Sequence, residues 1–297
     1  MNDSTTSTLT AISPAMRQTV AAALDVARAP TTVLLTGETG SGKDVLARFI
    51  HDSSARAANP FSVFTCAVID AAALEKLGQA LQHGGTVVLD EVSAMPMEAQ
   101  GRVLSLLEGA HASRVIATTH RDLREQVEKG SLRSDLFYRL DVFPIALPSL
   151  RDRREDIAAL CNSLLSRIAT SLDRMPLALT TEALAVIENQ KWQGNVRELA
   201  NVLERATIRA RGTAIEAGDL GITAKPMENS AFPQWMPLDL VQLERLAIAE
   251  ALRRTNGNRT HAARLLNLGL RTLRQKLNTP VTAANDETSA DLQAVAP

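Results

Sequence analysis

The chain has 297 residues, 45% hydrophobic and 22% charged, and this balance excludes a disordered or fibrous protein. No apolar stretch approaches the roughly 20 residues of a membrane span, and the N-terminus lacks the basic and apolar regions of a signal peptide. Cys66 and Cys161 are too few for a disulfide framework, and thiols and histidines do not cluster as zinc ligands do. We therefore expect a cytoplasmic protein of about two domains with no membrane partner.

The net charge of −1 conceals a basic C-terminal block. Residues 238–278 contain eight basic and three acidic residues, which gives this block a charge of +5 and leaves −6 on the rest of the chain. A basic block on an acidic body favours nucleic acid as a partner. A solvated helical face would have the same composition, so charge does not decide between the two.

Residues 1–150 alternate short β-rich runs with helical segments, as proteins with a parallel sheet flanked by helices do. The runs are apolar without alternation, which indicates strands buried on both faces. Pro144 predicts an edge strand or a strand start, because proline cannot donate to a central ladder. The predicted strands are Val33–Thr36, Phe61–Phe64, Val87–Leu89, Val115–Thr118 and Phe143–Leu147.

The rest of the chain predicts four further segments. Residues 151–221 predict helices only, and residues 222–237, with three prolines, predict a linker. Residues 238–280 form the second folded unit, and the polar residues 281–297 predict a disordered tail. The helices predicted within 151–221 are Glu155–Thr170, Thr181–Asn189 and Val196–Arg211.

A glycine-rich stretch between the first predicted strand and a predicted helix, Asp44–His51, matches the phosphate-binding pattern G-x-x-x-x-G-K. Its glycines let backbone N–H groups face phosphate oxygens, and the helix adds the positive end of its dipole. Lys43 is expected to reach the β- and γ-phosphates, whereas Asp44 replaces the usual Mg²⁺-binding hydroxyl residue. The alternative is a strand-to-helix turn without ligand. The expected ATP-binding residues are Gly37, Glu38, Thr39, Gly40, Ser41, Gly42, Lys43 and Asp44.

A second motif, Thr86–Leu89 followed by Asp90 and Glu91, predicts a strand that ends in two carboxylates. Ligands of open α/β sheets bind at the carboxyl ends of the strands. Asp90 is expected to hold Mg²⁺, and Glu91 to orient or deprotonate the attacking water. An apolar run before two acids is by itself more often a strand entering a solvated turn, but together with the glycine-rich loop it predicts an ATP site.

These motifs resemble the AAA+ domain of bacterial enhancer-binding proteins, the sigma-54-dependent transcriptional activators. The resemblance extends from about Ile12 to Asn278. It rests on residues 37–44, where the family also has an acid after the lysine, and on four further segments. These are Gly84–Glu91, Arg133–Leu140, Leu147–Ile157 and Trp192–Leu199.

The resemblance implies an α/β fold, namely an AAA+ P-loop domain with a parallel sheet flanked by helices, followed by an all-α lid and a helix-turn-helix domain. It also implies a ring, usually hexameric, with active sites between subunits. Arg133 and Arg139 match the arginine fingers that stabilise charge during phosphoryl transfer on a neighbour's nucleotide. Arg197 matches the sensor arginine of the lid, and Thr119 and His120 match the first sensor. Without the family, either finger would be taken for a surface salt bridge.

Three departures from the family pattern bear on activity. Lys43 and Asp90 are 47 positions apart, an interval that leaves out the stretch with the GAFTGA signature, the loop that contacts sigma-54. Residues 107–114 are too short for the family's second substrate-facing loop. Thr65 and His120 replace asparagines that couple the γ-phosphate to the catalytic glutamate. Because a remodelling ATPase needs a bistable element that contacts its substrate, we expect a weak ATPase that does not open sigma-54 promoters alone.

The basic block predicts three helices. Apolar residues of Leu240–Thr255 recur at helical spacing. Asn258 can cap a second helix, Thr260–Leu266. A third helix, Leu270–Asn278, follows a turn at residues 267–269 of the length that a helix-turn-helix uses.

Residues 256–266 resemble the Fis-type helix-turn-helix of enhancer-binding proteins, whereas pattern alone also allows a protein-interaction domain. The third helix would turn Leu270, Leu273 and Leu277 inward and its polar side chains toward a major groove. Such domains pair, and the expected dimer contact is Leu240, Leu243 and Ala247. The expected DNA-binding residues are Arg259, Thr260, Arg271, Thr272, Arg274 and Gln275, with phosphate contacts or solvated charge at Arg253, Arg254, Arg259 and Arg264.

The stretch before Ile12 is too short for a receiver or ligand-sensing domain, so we expect control by nucleotide, a partner protein or expression level. Three hypotheses follow for this DNA-binding transcriptional regulator. It hydrolyses ATP in a ring and activates sigma-54 RNA polymerase, with a full-length paralogue supplying the loops. Alternatively, ATP or ADP sets its oligomeric state, and it acts as activator or repressor with the housekeeping polymerase. In the third hypothesis it poisons a paralogue's ring through the interface that carries the arginine fingers.

Overall fold

The computed structural model describes residues 9–109, 112–222, 240–255, 257–266 and 268–278. The chain divides into two compact units between residues 224 and 225. Apart from Ile222, the predicted linker lies outside the described residues, and so does the predicted tail. Within the described ranges, each helix is too short or too polar to traverse a bilayer.

The first unit is built on a parallel sheet of five strands: β1 (Val33–Thr36), β2 (Phe61–Thr65), β3 (Thr86–Asp90), β4 (Arg114–Thr119) and β5 (Phe143–Ala146). Their order is β2-β3-β4-β1-β5. The predicted strands are all present, with bounds that differ by one residue at most. Pro144 lies in the edge strand β5, where its lack of an N–H breaks no central ladder.

Helices cover both faces of the central strands β1, β3 and β4, and this is why these strands are apolar at successive positions. The prediction of burial on both faces was wrong for the edge strands β2 and β5, which are only partly buried because each has one neighbouring strand. Val33 and Leu35 of β1 point into a cluster with two helices, whereas Leu34 between them belongs to the cluster on the opposite face. Strand β4 is buried along its whole length. The helices of this unit are α1 (Pro14–Ala27), α2 (Lys43–Asp52), α3 (Ala71–Gln82), α4 (Met97–Glu108), α5 (Leu123–Glu128) and α6 (Ser134–Leu140).

A buried arginine ties the sheet to α1. Arg114 of β4 is 1% exposed and donates to Val26 O at 2.7 Å and Ala27 O at 3.4 Å. These carbonyls end α1, where the helix dipole is negative and favours a cation. Burial lowers the pKa of Arg114 to about 10, so the guanidinium stays charged at neutral pH.

The described residues from 151 to 222, called the lid below, contain α7 (Ile157–Ser171), α8 (Thr181–Glu188) and α9 (Asn195–Arg209) around a common apolar cluster. The prediction of helices only was wrong, because β6 (Ala178–Leu179) and β7 (Ala214–Ile215) form a two-stranded parallel sheet. Strands of two residues are too short to show a periodic pattern, and their pairing joins distant parts of the sequence.

The second unit is a bundle of α10 (Leu240–Arg254), α11 (Arg259–Leu265) and α12 (Leu270–Asn278). Asn258 caps α11 as predicted, since its Oδ1 accepts from Thr260 N at 3.1 Å and from His261 N at 3.2 Å. The predicted dimer residue Ala247 is exposed, whereas the side chains of Leu240, Leu243 and Leu277 lie outside the described set. The core consists of Ile248, Ala251, Ala262, Ala263 and Leu273.

Two connections of the first unit are short. Helix α3 ends at Gln82 and β3 begins at Thr86, while α4 ends at Glu108 and β4 begins at Arg114. Just before β4, the N–H groups of residues 112 and 113 donate to Leu81 O at 3.1 and 3.0 Å. This end of the second connection is therefore bonded to α3.

His51 makes the stability of this unit sensitive to pH. It lies near the end of α2, is 2% exposed, and its Nδ1 is 2.8 Å from Thr86 Oγ1. Its ring also packs against Phe61. Burial lowers the pKa of His51 below its ordinary value of 6.5, so the unfolded chain binds this proton more readily than the folded protein does.

We predict that the free energy of unfolding falls as the pH decreases from 6.5 toward the lower folded pKa. One such group contributes at most about 1.4 kcal/mol per pH unit. In His51→Gln this contribution is absent, so the variant should lose less stability than the wild type between about pH 7.5 and 5.5. Urea unfolding followed by circular dichroism measures the difference, and parallel losses in both proteins would contradict the assignment.

Candidate nucleotide-binding site

The glycine-rich loop between β1 and α2, residues 37–43 and called the P-loop below, has the open form that a phosphate requires. Gly42 has a φ of +103°, and a Cβ added there would meet nothing within 4 Å. Gly40 has a φ of +76°, and its added Cβ would lie 2.4 Å from Gly194 O. Both positions therefore require glycine: Gly42 for its backbone conformation, and Gly40 for its conformation and for the close approach of Gly194 O.

The start of α2 is arranged for an anion. Its N-cap, Gly42, makes no side-chain capping bond, which leaves this helix N-terminus open to an external acceptor. The Lys43 side chain is 8% exposed, and its Nζ donates to Gly37 O at 2.9 Å and Glu38 O at 3.3 Å. Asp44, where a Mg²⁺-binding hydroxyl is usual, is exposed in the first helical turn.

Asp90 and Glu91 lie beside this loop, where parallel strands end. Asp90 Oδ1 accepts from Thr118 Oγ1 at 2.7 Å, and the same hydroxyl accepts from Glu91 N at 3.0 Å. Thr118 was not among the residues predicted for the site. Because Leu89 pairs with Ala117 in the sheet, the next residues of β3 and β4 are also brought side by side.

The Glu91 carboxylate lies between the side chains of Lys43 and His120. Its Oε1 lies 3.5 Å from Lys43 Nζ, and its Oε2 lies 2.5 Å from His120 Nδ1 and 3.3 Å from His120 N. Glu91 also has a φ of +57°, which is uncommon for a residue with a side chain. Lys43, Glu91 and His120 thus lie together, whereas the Thr119 hydroxyl donates to Arg121 O within its own turn.

The two candidate finger arginines point to other partners. Arg133 donates to both carboxylate oxygens of Asp135 at 3.1 and 2.7 Å. Arg139 donates through Nε and Nη2 to Leu107 O near the end of α4. Within the described residues, neither side chain bonds the P-loop or the acidic pair of its own chain. This leaves open the role in a neighbouring subunit that the family implies.

The lid forms the outer wall of the site. Arg197 is exposed, and its Cβ is 2.9 Å from the position that a Cβ on Gly40 would take. The fully buried Asn195 bonds to Glu38 Oε2 at 3.0 Å. The exposed Arg151 pairs with both oxygens of the same carboxylate, and these bonds lower the pKa of Glu38. Asn195 and Arg151 were not among the predicted site residues, because their contacts join segments more than 100 positions apart.

The second unit presents polar residues on α11 and α12. Arg259, Thr260, Arg271, Thr272, Arg274 and Gln275 are exposed, while Leu273 is buried. Arg253 and Arg254 both pair with Glu250, and these bonds hold the pKa of Glu250 at about 2. Two of the cations considered for phosphate contact are therefore already engaged by a carboxylate.

Three family sequence models match the chain. The Sigma-54 interaction domain matches residues 9–150, the AAA+ ATPase lid domain residues 151–234, and the bacterial regulatory protein Fis family residues 240–279. The order of these matches follows the sheet, the lid and the C-terminal helices of the structure.

Several curated regulators are similar along most of the chain. The regulatory protein AtoC of Escherichia coli is 34% identical over 89% of this chain and 66% of its own length. ZraR of Klebsiella oxytoca is 36% identical over 90% and 67%, and the response regulator FleR of Pseudomonas aeruginosa is 36% identical over 90% and 69%. The chain thus spans about two thirds of the length of these relatives.

Solved structures share the architecture. NtrX from Brucella abortus in complex with ADP matches with a TM-score of 0.66 at 28% identity, over 91% of this chain and 68% of that one. The complex of NtrX with ATP gives a TM-score of 0.64 over the same shares. The RuvB branch migration motor of Thermotoga maritima, at 16% identity and a TM-score of 0.52 over 88% and 83%, shares the fold.

The parallel sheet flanked by helices, the AAA+ lid and the C-terminal helix-turn-helix confirm the fold class expected from the sequence. The chain belongs to the bacterial enhancer-binding regulators, the family that joins a sigma-54 interaction domain to a Fis-type helix-turn-helix.

Proposed function

We propose that this chain is a cytoplasmic, DNA-binding transcriptional regulator whose AAA+ module binds ATP but does not remodel sigma-54 RNA polymerase alone. The observation on which the assignment of an ATP site rests is the geometry of the P-loop. An uncapped helix N-terminus, the ammonium of Lys43 and the open space at Gly42 meet at the strand ends that carry Asp90 and Glu91. The relative NtrX, solved with ATP and with ADP, supports the same assignment.

Each group of the site has a distinct part in this proposal. The P-loop N–H groups and Lys43 bind the phosphates, whose transfer is the chemistry that ATP supplies. Asp90 would hold Mg²⁺ at the strand end beside the P-loop, where the ion would neutralise charge on the phosphates. Glu91 orients the attacking water once its bonds to Lys43 and His120 loosen, and this requirement supports weak turnover.

The proposal that this chain does not remodel sigma-54 polymerase alone rests on the two short connections of the first unit. Three residues separate α3 from β3, and five separate α4 from β4. In the family, the stretch before the second motif contains the loop that contacts sigma-54. A three-residue connection leaves no projecting segment at this place to convert nucleotide state into a push on the polymerase. We therefore propose that the chain regulates through DNA binding and oligomerisation.

A mixed oligomer is the second candidate, and one observation favours it. Arg133 and Arg139, which match the arginine fingers, are both exposed, Arg133 at the N-cap of α6 and Arg139 in its last turn. Such residues act on a neighbour's nucleotide, so a dimer, a hexameric ring or a ring shared with a full-length paralogue would use them. In a shared ring the paralogue supplies the sigma-54 loops, or this chain poisons the paralogue.

We predict that Glu91→Gln abolishes ATP turnover and leaves ATP affinity within about threefold of wild type. The substitution removes the carboxylate that orients water but keeps the shape of the side chain, and a catalytic carboxylate is worth roughly 10²–10⁴-fold. Phosphate release and equilibrium ATP titration measure the two quantities. Glu75→Gln on α3 is the matched control, because this glutamate lies outside the site. Undiminished turnover in Glu91→Gln would remove Glu91 from the mechanism.

We predict that Arg274→Ala weakens binding to the target DNA by about 1–3 kcal/mol if this arginine reads a base edge. Its side chain is exposed on α12 next to the buried Leu273, which fixes the face of the helix. Fluorescence anisotropy with operator and unrelated duplexes at one salt concentration measures the effect. Arg167→Ala on the exposed face of α7 removes the same charge elsewhere. Equal affinities for the operator in wild type and Arg274→Ala would exclude this helix as the reader.

A further inference from the structure

Three successive carbonyl oxygens of the P-loop accept hydrogen bonds from the lid. The donors come from two separate lid segments, one before α7 and one at the start of α9. The bonds are Asn195 Nδ2 to Thr39 O at 3.2 Å, Val196 N to Gly40 O at 2.9 Å, and Arg153 Nη2 to Ser41 O at 2.6 Å.

These bonds determine where the opposite side of the loop points. A trans peptide unit is planar, so the C=O of one residue and the N–H of the next point in opposite directions. Donors that hold Thr39 O and Ser41 O therefore turn the N–H groups of Gly40 and Gly42 away from the lid. Backbone N–H groups of this loop are the ones that bind phosphate.

We propose that Arg153 and Asn195 are positioning residues for nucleotide binding: they hold the carbonyl side of the P-loop and so align the N–H groups that face the phosphates. The inference rests on the proposed ATP site and adds the part of the lid that shapes it.

Arg153 carries most of this inference. It is 3% exposed, and its Nη1 and Nη2 donate to Met16 Sδ and Ser41 O. Within the described residues its Nε has no hydrogen-bond partner. A buried guanidinium is costly unless its partners compensate, and the short bond to Ser41 O is its contact with the P-loop. Burial lowers the pKa of Arg153, and the nearby Asp156 opposes that effect.

Asp156 connects this arginine to the N-terminal segment. It is fully buried, and its Oδ1 accepts from Ile12 N and Ser13 N at 2.7 Å each. Ser13 Oγ donates to its other oxygen at 2.9 Å. The segment that carries Arg153 is therefore fixed to the chain before α1, which gives the arginine a rigid base.

Asn195 supports the same loop from α9. It is fully buried with a φ of +54°, a conformation that asparagine tolerates better than most residues. Its Oδ1 accepts from Leu150 N at 2.7 Å, while Nδ2 contacts Thr39 O and the Glu38 carboxylate. The exposed ion pair between Glu38 and Arg151 adds little by comparison, because solvent screens it.

The test compares nucleotides that differ in one phosphate. Dissociation constants for ADP and AMP are measured by calorimetry for wild type, Arg153→Met, Arg153→Lys and the control Arg154→Met. Arg154 is the neighbouring arginine and is exposed. We expect Arg153→Met to weaken ADP by at least about tenfold, the scale of one charge-assisted bond, and AMP by less than about twofold. Arg153→Lys should fall between, and Arg154→Met should match wild type.

The ratio of the two affinities separates positioning from general support of the fold. Circular dichroism first establishes which variants are folded, and Arg153→Lys carries the test if Arg153→Met is not. An unchanged ratio of ADP to AMP affinity in the folded variant, which means no loss or an equal loss for both nucleotides, would overturn the inference. If wild type binds neither nucleotide, the proposed ATP site itself is wrong. If wild type binds ADP more tightly than AMP and the folded variants keep the same ratio of affinities, only the positioning role is wrong.

Discussion

The P-loop is held between hydrogen bonds from the sheet on one side and from the lid on the other. On the sheet side, Gly37 N donates to Thr119 O at 3.3 Å, and directly before the loop Leu147 N donates to the carbonyl oxygen of Thr36, the last residue of β1, at 2.7 Å. On the lid side, Arg153 and Asn195 hold the carbonyl groups that follow. A ligand bound in the loop would therefore act on the position of the lid, and the lid would act on ligand affinity to the same extent, because binding linkage is reciprocal.

In the first unit, the candidate nucleotide site lies at one end of strands β3 and β4, and the short connections lie at the other end. Asp90, Glu91 and His120 lie where β3 and β4 end, on the edge where ligands of open α/β sheets bind. The connections that precede β3 and β4 lie at the other ends of these strands. The short connections and the residues of the candidate nucleotide site thus lie at opposite ends of these strands. Our proposal of nucleotide binding without remodelling of the polymerase rests on this separation.

Much of this arrangement could be predicted from local sequence. The strand bounds followed from short apolar runs, and the P-loop and the β3 carboxylates followed from motifs whose residues are neighbours in the chain. Asn258 was recognisable as a cap because capping acts over three residues. Leu270 and Leu273 were recognised from helical spacing, and Leu273 is fully buried.

The residues that escaped prediction depend on contacts between distant segments. Arg153 and Ser41 are 112 positions apart, and Asn195 and Thr39 are 156 apart. Thr118 reaches Asp90 through strand pairing, and β6 pairs with β7 although each has two residues. Composition and periodicity do not encode such contacts. A buried polar residue, such as Arg114 bonded to the end of α1, looks in the sequence like any surface arginine.

The most direct measurement of the central claim is open-complex formation on a sigma-54 promoter with purified sigma-54 polymerase. Permanganate reactivity of the melted strand is followed with ATP and this chain, with a full-length activator of the family as the positive control. We expect this chain to bind DNA and ATP without melting the promoter. The contradicting result is ATP-dependent melting by this chain alone that is lost in Glu91→Gln. It would show that the short connections do not prevent the chain from remodelling the polymerase.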